Sequence, residues 1–365
     1  MSAKTFLKLL LNVSEKAANI ARIIRKDPNL LQLLTEEKTE EEGNPRFAHD
    51  FKTLADVLIQ EMIRKEVGDA FPTLRGSIKG EEDSTLTNAS GEKITVQVFD
   101  DVESTRLCLE QVMGSSAAAA VLADEVHRTD VDANPDAEDI EALANVDLDL
   151  DNLGMWVDPI DGTVEYVKAV HKDSRFDNIP SNGLKCVTIL IGVYDTTTGI
   201  PVMGVVNQPF NELLDDGTFK GKHFWGVSMG DVNVTNVGAI ENSRTNKIAV
   251  LSSSEQTKFT KFLKQRLKYD IVYSSGAGHK ILKLITRDAD LNLLSRNTTF
   301  KYDTCAPQAI LMAMGGNILD LNSTIFAGKP VPLSYGNSEP NCNINGILAY
   351  RELDTINSII SLFSK

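Results

Sequence analysis

One octapeptide limits this chain more than any other stretch of it: Trp156-Val157-Asp158-Pro159-Ile160-Asp161-Gly162-Thr163. The apolar run over 154–158 reads as a buried strand. It ends in two carboxylates three residues apart, with Pro159 fixing a turn and Gly162-Thr163 opening a helix through Val164-Glu165-Tyr166-Val167. Carboxylates gathered at the end of a buried strand repel one another unless a cation lies between them. Oxygen ligands with no His or Cys beside them suit a hard ion such as Mg²⁺. The helix start would offer the backbone N–H groups of Gly162 and Thr163 to a phosphate oxygen. Taken alone, the octapeptide is equally compatible with an N-capping Asp followed by an Asp in a surface turn.

Four further acidic residues gain meaning beside it. Gly80-Glu81-Glu82 follows Ile78 and places adjacent carboxylates at the end of a strand, although by itself it reads as a solvated loop. Asp56 interrupts an apolar helical stretch, where an isolated charge is costly unless partnered. Asp303, in Lys301-Tyr302-Asp303-Thr304, is in isolation an N-cap.

The organisation is coarse but readable. Residues 5–24 and 46–67 predict amphipathic helices, and 154–158, 186–195, 201–207 and 222–228 predict strands. Asp195 to Gly199 forms a turn in which Gly supplies positive φ. From 247 onward strands and helices alternate: strand 248–252, helix 255–267, strand 271–274, helix 278–286, strand 290–294, helix 304–314 and strand 317–321. The acidic runs 36–42 and 132–151 read as solvated segments; the second lacks the turn glycine of a calcium loop. Ser252-Ser253-Ser254-Glu255 has capping-box spacing. Ser275-Gly276-Ala277-Gly278-His279-Lys280 is a glycine-rich strand-to-helix turn, with His279 expected as a surface imidazole.

A net charge of −14 argues against nucleic acid or an anionic membrane as partner, and leaves any phosphorylated ligand dependent on local positive charge. The longest apolar runs, such as 186–193, fall well short of the roughly 20 residues that span a bilayer. No small-residue cleavage site follows the N-terminal apolar pattern, so a cytoplasmic protein is expected. Cys108, Cys186, Cys305 and Cys342 are scattered without a CxxC pair, which fits reduced, buried thiols. The five His residues show no triad spacing.

In order, Asp56, Glu81-Glu82, Asp158 to Thr163 and Asp303 resemble the motif set of the lithium-sensitive, magnesium-dependent phosphomonoesterases, the family that includes inositol monophosphatase. Tyr302 stands where that family usually has Trp. The chain is most similar to members that act on multiply phosphorylated inositols, through 13–22, 50–58, 91–95, 186–195, 203–210 and 298–301. The stretches 145–151 and 211–245 fit poorly.

The resemblance implies a layered αβαβα sandwich of the sugar-phosphatase type, with an α+β half at 1–243, an α/β half at 244–365 and the metals at their junction. It implies hydrolysis of the 1-phosphate of inositol 1,4-bisphosphate and inositol 1,3,4-trisphosphate by water activated on two or three Mg²⁺ ions, with Li⁺ and Ca²⁺ inhibitory. Glu81, Asp158 and the Ile160 carbonyl would hold one ion, and Asp158, Asp161 and Asp303 a second. Asp56 would order lithium or a further metal, and Glu82 would contribute through water. Glu81 and Thr163, with Asp56, would be catalytic, the first two orienting the attacking water. Asp161, Gly162, Thr163, Ser254, Gly276 and Lys280 would contact substrate, the last two at the sugar or its second phosphate. The implied partners are small inositol phosphates met by a monomer. The alternatives are a 3′-phosphoadenosine-type bisphosphate nucleotidase, an inositol monophosphatase, a non-catalytic inositol-phosphate-binding protein and a scaffold.

Overall fold

A computed structural model describes residues 1–27, 31, 35–37, 51–88, 90–133, 140–238, 244–336 and 340–363. Helix α1 (Ala3–Lys26) precedes the pair β1 (Thr35–Glu37) and β2 (Phe51–Thr53), and α2 (Leu54–Ala70) follows. Next come β3 (Ile78–Gly80), β4 (Thr85–Thr87), β5 (Lys93–Thr95), α3 (Val102–Met113), α4 (Ser116–Val126), β6 (Leu153–Asp161) and the short α5 (Thr163–Lys168). A meander follows, of β7 (Thr188–Asp195), β8 (Pro201–Leu213), β9 (Phe219–Met229) and β10 (Val232–Thr235). The remainder alternates: β11 (Ile248–Leu251), α6 (Thr257–Gln265), β12 (Asp270–Tyr273), α7 (Ala277–Ile285), β13 (Leu291–Leu294), α8 (Lys301–Ala313), β14 (Asn317–Asp320), α9 (Leu321–Ala327), β15 (Ile347–Tyr350) and α10 (Leu353–Phe363).

Two sheets organise these elements. One has the order β10-β9-β8-β7-β6-β3, antiparallel except where β3 runs parallel to β6. The other has the order β12-β11-β13-β15-β14, with β11 parallel to both β12 and β13. Period-two alternation sorts the side chains of each central strand between two cores. Met155 and Val157 of β6 join Phe6, Leu10 and Leu58 beneath α1 and α2, whereas Trp156 joins Leu282, Cys305 and Ile310 of α7 and α8. Ile248 and Val250 of β11 face that same inner core, while Ala249 and Leu251 meet Phe259, Leu263 and Ile356 of α6 and α10. The layers are therefore helix, sheet, helix, sheet, helix.

The inner layer is thin because the six-stranded sheet has no side chains where α8 crosses it. Gly192, Gly204 and Gly226 are cross-strand neighbours on β7, β8 and β9. A Cβ at Gly192 would lie 2.5 Å from the Ala306 nitrogen, one at Gly226 would lie 2.7 Å from Ile310 Cα, and one at Gly204 would collide with the Ala306 carbonyl. Helix α8 thus sits directly on the backbone of three strands.

Several boundaries depart from expectation. The helix expected over 46–67 begins at Leu54, because 51–53 pair with 35–37 as a strand; 46–50 lie outside the described residues. Glu36 and Glu37 belong to that pair, and 38–42 lie outside the described residues, as do 134–139 of the second acidic run and the expected half boundary at 243. Gly199 does adopt the positive φ of +72° expected between β7 and β8. The periodicity does not single out α3, α4 or α10. The four thiols are free, but only Cys186 and Cys305 are buried. Among the described residues no helix is long and apolar enough to cross a membrane.

Candidate active site

The octapeptide owes its geometry to one extra residue. Strand β6 does not end at Asp158 as expected but continues to Asp161, and Pro159 lies inside it rather than in a turn. Asp158 pairs with Leu190 and Asp161 with Thr188, so three steps on β6 match two on β7. On a regular strand residues three apart point to opposite faces; a bulge of one residue returns both to the same face. Both aspartates thereby face α7 and α8, while Ile160 turns into the outer core.

Other elements deliver the remaining acids. Asp303 is the third residue of α8 rather than its N-cap, and its carboxylate accepts the Phe300 N–H at 2.6 Å. Asp56 is likewise the third residue of α2, not a mid-helix charge, and accepts the Thr53 N–H at 2.8 Å. Each carboxylate near a helix start satisfies a donor that the helix leaves open, which fixes its direction. Glu81 extends the β3–β6 ladder through its N–H to the Val157 carbonyl at 3.2 Å. Gln60 clamps the backbone of Glu82, accepting its N–H at 2.9 Å and donating to its carbonyl at 2.5 Å. Gly80 is required there, since a Cβ would overlap the Gln60 amide.

The result is a dense, dry cluster of negative charge. Carboxylate oxygens of Asp158, Asp161 and Asp303 lie within 4.8 Å of one another, although these residues are only 1%, 5% and 7% exposed. Burial, then the charges of Glu81, Asp161, Asp303 and Asp56, pushes the Asp158 carboxyl well above the ordinary carboxylate value. Burial and the neighbouring Asp161 raise Asp303 in the same way, and the Phe300 N–H opposes them. Burial also raises Asp161, but Lys280, the Thr188 hydroxyl at 2.8 Å and the N–H groups of Ala277 and His279 hold it back. Three buried acids this close demand protons or a cation, and an all-oxygen donor set fits a hard divalent ion.

The cluster forms one end of a cavity of about 840 Å³ between the two sheets. Glu81, Asp158, Ile160, Asp161, Gly162, Thr163 and Asp303 line it, and so do Ser254, Gly276 and Lys280; Asp56 and Glu82 stand behind, both buried. Thr163 donates its hydroxyl to the Ile160 carbonyl at 3.1 Å. Gly162 starts α5 at φ +88°, a conformation other residues adopt only with strain.

Several expectations need correction. Ser254 caps nothing: α6 starts at Thr257 with Gln256 before it, and Glu255 turns away to bind the Ser295 N–H at 2.8 Å. His279 is no surface imidazole but fully buried, its Nδ1 within 3.2 Å of the Ser274 hydroxyl and the Ser275 carbonyl, and burial holds its pKa well down. Lys280 is 7% exposed; its ammonium donates to the Gly276 carbonyl at 2.6 Å and interacts with Asp161 and Asp303. The sequence reading misses Gln60 and Thr188, which position the acids, and the exposed cations Lys172, Arg175 and Arg296, which line the cavity. No local pattern marks any of the three cations.

Comparison with known proteins places this geometry in context. The model of the inositol monophosphatase family matches residues 8–355. The inositol polyphosphate 1-phosphatases of Bos taurus and Homo sapiens are each 39% identical, covering 97% and 98% of this chain and 96% of theirs. Among solved structures, an inositol monophosphatase from Zymomonas mobilis shares the fold at a TM-score of 0.51 and 16% identity, over 100% of both chains.

Proposed function

This chain belongs to the inositol monophosphatase family, a metal-dependent phosphatase family, and from that premise we propose that it removes the 1-phosphate of inositol 1,4-bisphosphate and inositol 1,3,4-trisphosphate with Mg²⁺. The observation that carries the reading is the convergence of Asp158, Asp161 and Asp303 within 4.8 Å, with Glu81 beside them at one end of a sugar-sized cavity. In our reading, Glu81, Asp158 and the Ile160 carbonyl hold one ion, and Asp158, Asp161 and Asp303 a second. Asp56 and Glu82 serve a third position, where Li⁺ would inhibit. When bound, such ions supply a Lewis acid that lowers the pKa of water and neutralises charge on the transferred phosphoryl group.

The chain's own residues do the rest. Glu81 and the Thr163 hydroxyl orient the attacking water, the Thr163 proton being directed by its bond to the Ile160 carbonyl. Asp161 is held in place by the Thr188 hydroxyl and by two N–H donors at the start of α7, which oppose the upward push of burial on its carboxyl. Gly162 and Ser254 line the space for phosphate and ring, and Gly276 and Lys280 would meet the sugar or its second phosphate. The division into halves at about 243 follows from the same reading, with the site between them.

The test is phosphate release from inositol 1,4-bisphosphate, inositol 1-phosphate and adenosine 3′,5′-bisphosphate, each with Mg²⁺, with excess Ca²⁺ and with chelator. The bisphosphorylated inositol is expected to lead and both chelator and Ca²⁺ to silence the reaction. Turnover in chelator, or a preference for the nucleotide, would overturn the proposal.

A further inference from the structure

The cavity poses a problem that its acidic end cannot solve. A substrate with two or three phosphates presents one to the carboxylate cluster and carries the others out towards the mouth, and the protein as a whole bears a net charge of −14. The cation most visible in the sequence, Lys280, is buried, bonded to the Gly276 carbonyl and engaged by Asp161 and Asp303, so its one charge is already largely compensated.

The mouth has its own cations, and they stand on two separate walls. The five-stranded sheet runs β12-β11-β13, which puts the Ser252–Ser254 turn after β11 in the middle. On the β12 side lie Lys172 and Arg175. The loop that carries them is tied to the end of β12: Lys172 bonds through its backbone to Asn182, and the Asn182 amide reaches the Ser275 hydroxyl at 2.9 Å. Arg175 is already paired with Asp270 at 2.7 Å. On the β13 side lies Arg296, two residues beyond the end of that strand. Lys172 and Arg296 are both exposed to the cavity and form no ion pair among the described residues. An exposed cation with no carboxylate partner keeps its full attraction for a phosphate that arrives with its own charge.

Resting on the function proposed above, we infer that Lys172 and Arg296 receive the phosphates that are not cleaved, one on each side of the Ser252–Ser254 turn, and that these two residues set the preference for multiply phosphorylated inositols. Two walls match a substrate class with up to two phosphates beyond the scissile one. Arg296 offers a planar fork for two phosphate oxygens, and Lys172 a single point charge.

The experiment measures kcat and KM of the full chain with Mg²⁺ on inositol 1-phosphate, inositol 1,4-bisphosphate and inositol 1,3,4-trisphosphate, for the wild type, Arg296→Ala, Lys172→Ala and the double variant. Both side chains are exposed, so the fold is not at stake. In the double variant, kcat/KM relative to the monophosphate should fall about tenfold for the bisphosphate and about a hundredfold for the trisphosphate, through KM. Arg296→Lys should recover part of the loss, because charge without the fork remains. Ratios unchanged within about twofold in the double variant, for an enzyme that still separates the three substrates, would overturn the inference alone. A wild type inactive on all three would sink the function it rests on, and the inference with it.

Discussion

At the closed end of the cavity Asp158, Asp161 and Asp303 are buried, each held by a backbone N–H or a neighbouring hydroxyl, on a bulged strand and a helix start that packing fixes. At the mouth Lys172, Arg175 and Arg296 are exposed, on loops, with Asp270 the one carboxylate paired to them among the described residues. The same elementary charge therefore acts under opposite conditions. At the closed end low dielectric makes every charge expensive and every misplacement costly, while at the mouth water screens charges and tolerates their movement. Chemistry belongs where geometry is over-determined, and discrimination between relatives of one substrate can be left to loops.

The comparison can be broken most decisively at the closed end. Asp158→Asn should lower kcat at least about a thousandfold, because the residue is shared by both proposed ion positions. The same variant should raise the thermal midpoint of the metal-free chain, since one of several mutually repelling buried acids is gone. Calorimetry showing a lower metal-free midpoint would mean that the cluster is not under electrostatic strain. Thr163→Ala should cost about a hundredfold in kcat with little change in KM, the signature of a group that orients a reactant; an unchanged kcat removes Thr163 from the reaction.

Proton linkage gives a quieter test. Asp158 and Asp303 hold their carboxyls above the ordinary value, so the folded metal-free chain retains protons that the unfolded chain has released. Its stability is then full below the ordinary carboxylate value of about 3.9 and is lost as pH rises through the raised values. Bound Mg²⁺ would replace those protons, so its stabilisation should grow as pH rises above the ordinary carboxylate value and reach about 2.7 kcal/mol at a hundred times Kd. A Mg²⁺-induced shift in midpoint that shrinks with pH contradicts the picture.

The mouth should respond instead to salt. Raising ionic strength from about 0.05 M to about 0.3 M should lift KM for the bisphosphate severalfold while kcat stays within about twofold, because only the exposed charges are screened. The smallest effect belongs to Tyr302→Trp. Tyr302 stacks on Phe300 with ring centroids 5.1 Å apart and planes at 8°, and a Trp preserves that flat contact. Steady-state activity should remain within about threefold of wild type.

What was legible in the sequence follows the same division. Carboxylates contiguous in the chain, such as Glu81-Glu82 and Asp158 with Asp161, carry their chemistry in their spacing. Their exact presentation does not: Pro159 reads as a turn because Pro usually ends strands, yet here β6 absorbs it as a bulge. Asp56 was legible as an acid in an apolar stretch and Asp303 as an N-cap, but their shared place at the third helical position depends on boundaries that periodicity fixes only loosely. His279 sits in a polar-looking turn that tertiary packing buries. Lys172, Arg175 and Arg296 come from two loops more than a hundred positions apart and meet only because the sheet order sets β12 and β13 on either side of β11.

The track of Gly192, Gly204 and Gly226 bears on a property that none of these residues could be suspected of controlling. Ala306, which rests on it, lies about one helical turn beyond Asp303, so the absence of three Cβ atoms works as a spacer gauge between one carboxylate of the cluster and the other two. A methyl group at Gly204 would lift the start of α8 and widen the gap between Asp303 and Asp158. Mg²⁺ needs short, near-ideal octahedral bonds, whereas Ca²⁺ accepts longer and less regular ones. If the proposed Mg²⁺ sites hold, the fit to the ion's radius would be set on the far side of a helix, by atoms that the sheet does not have.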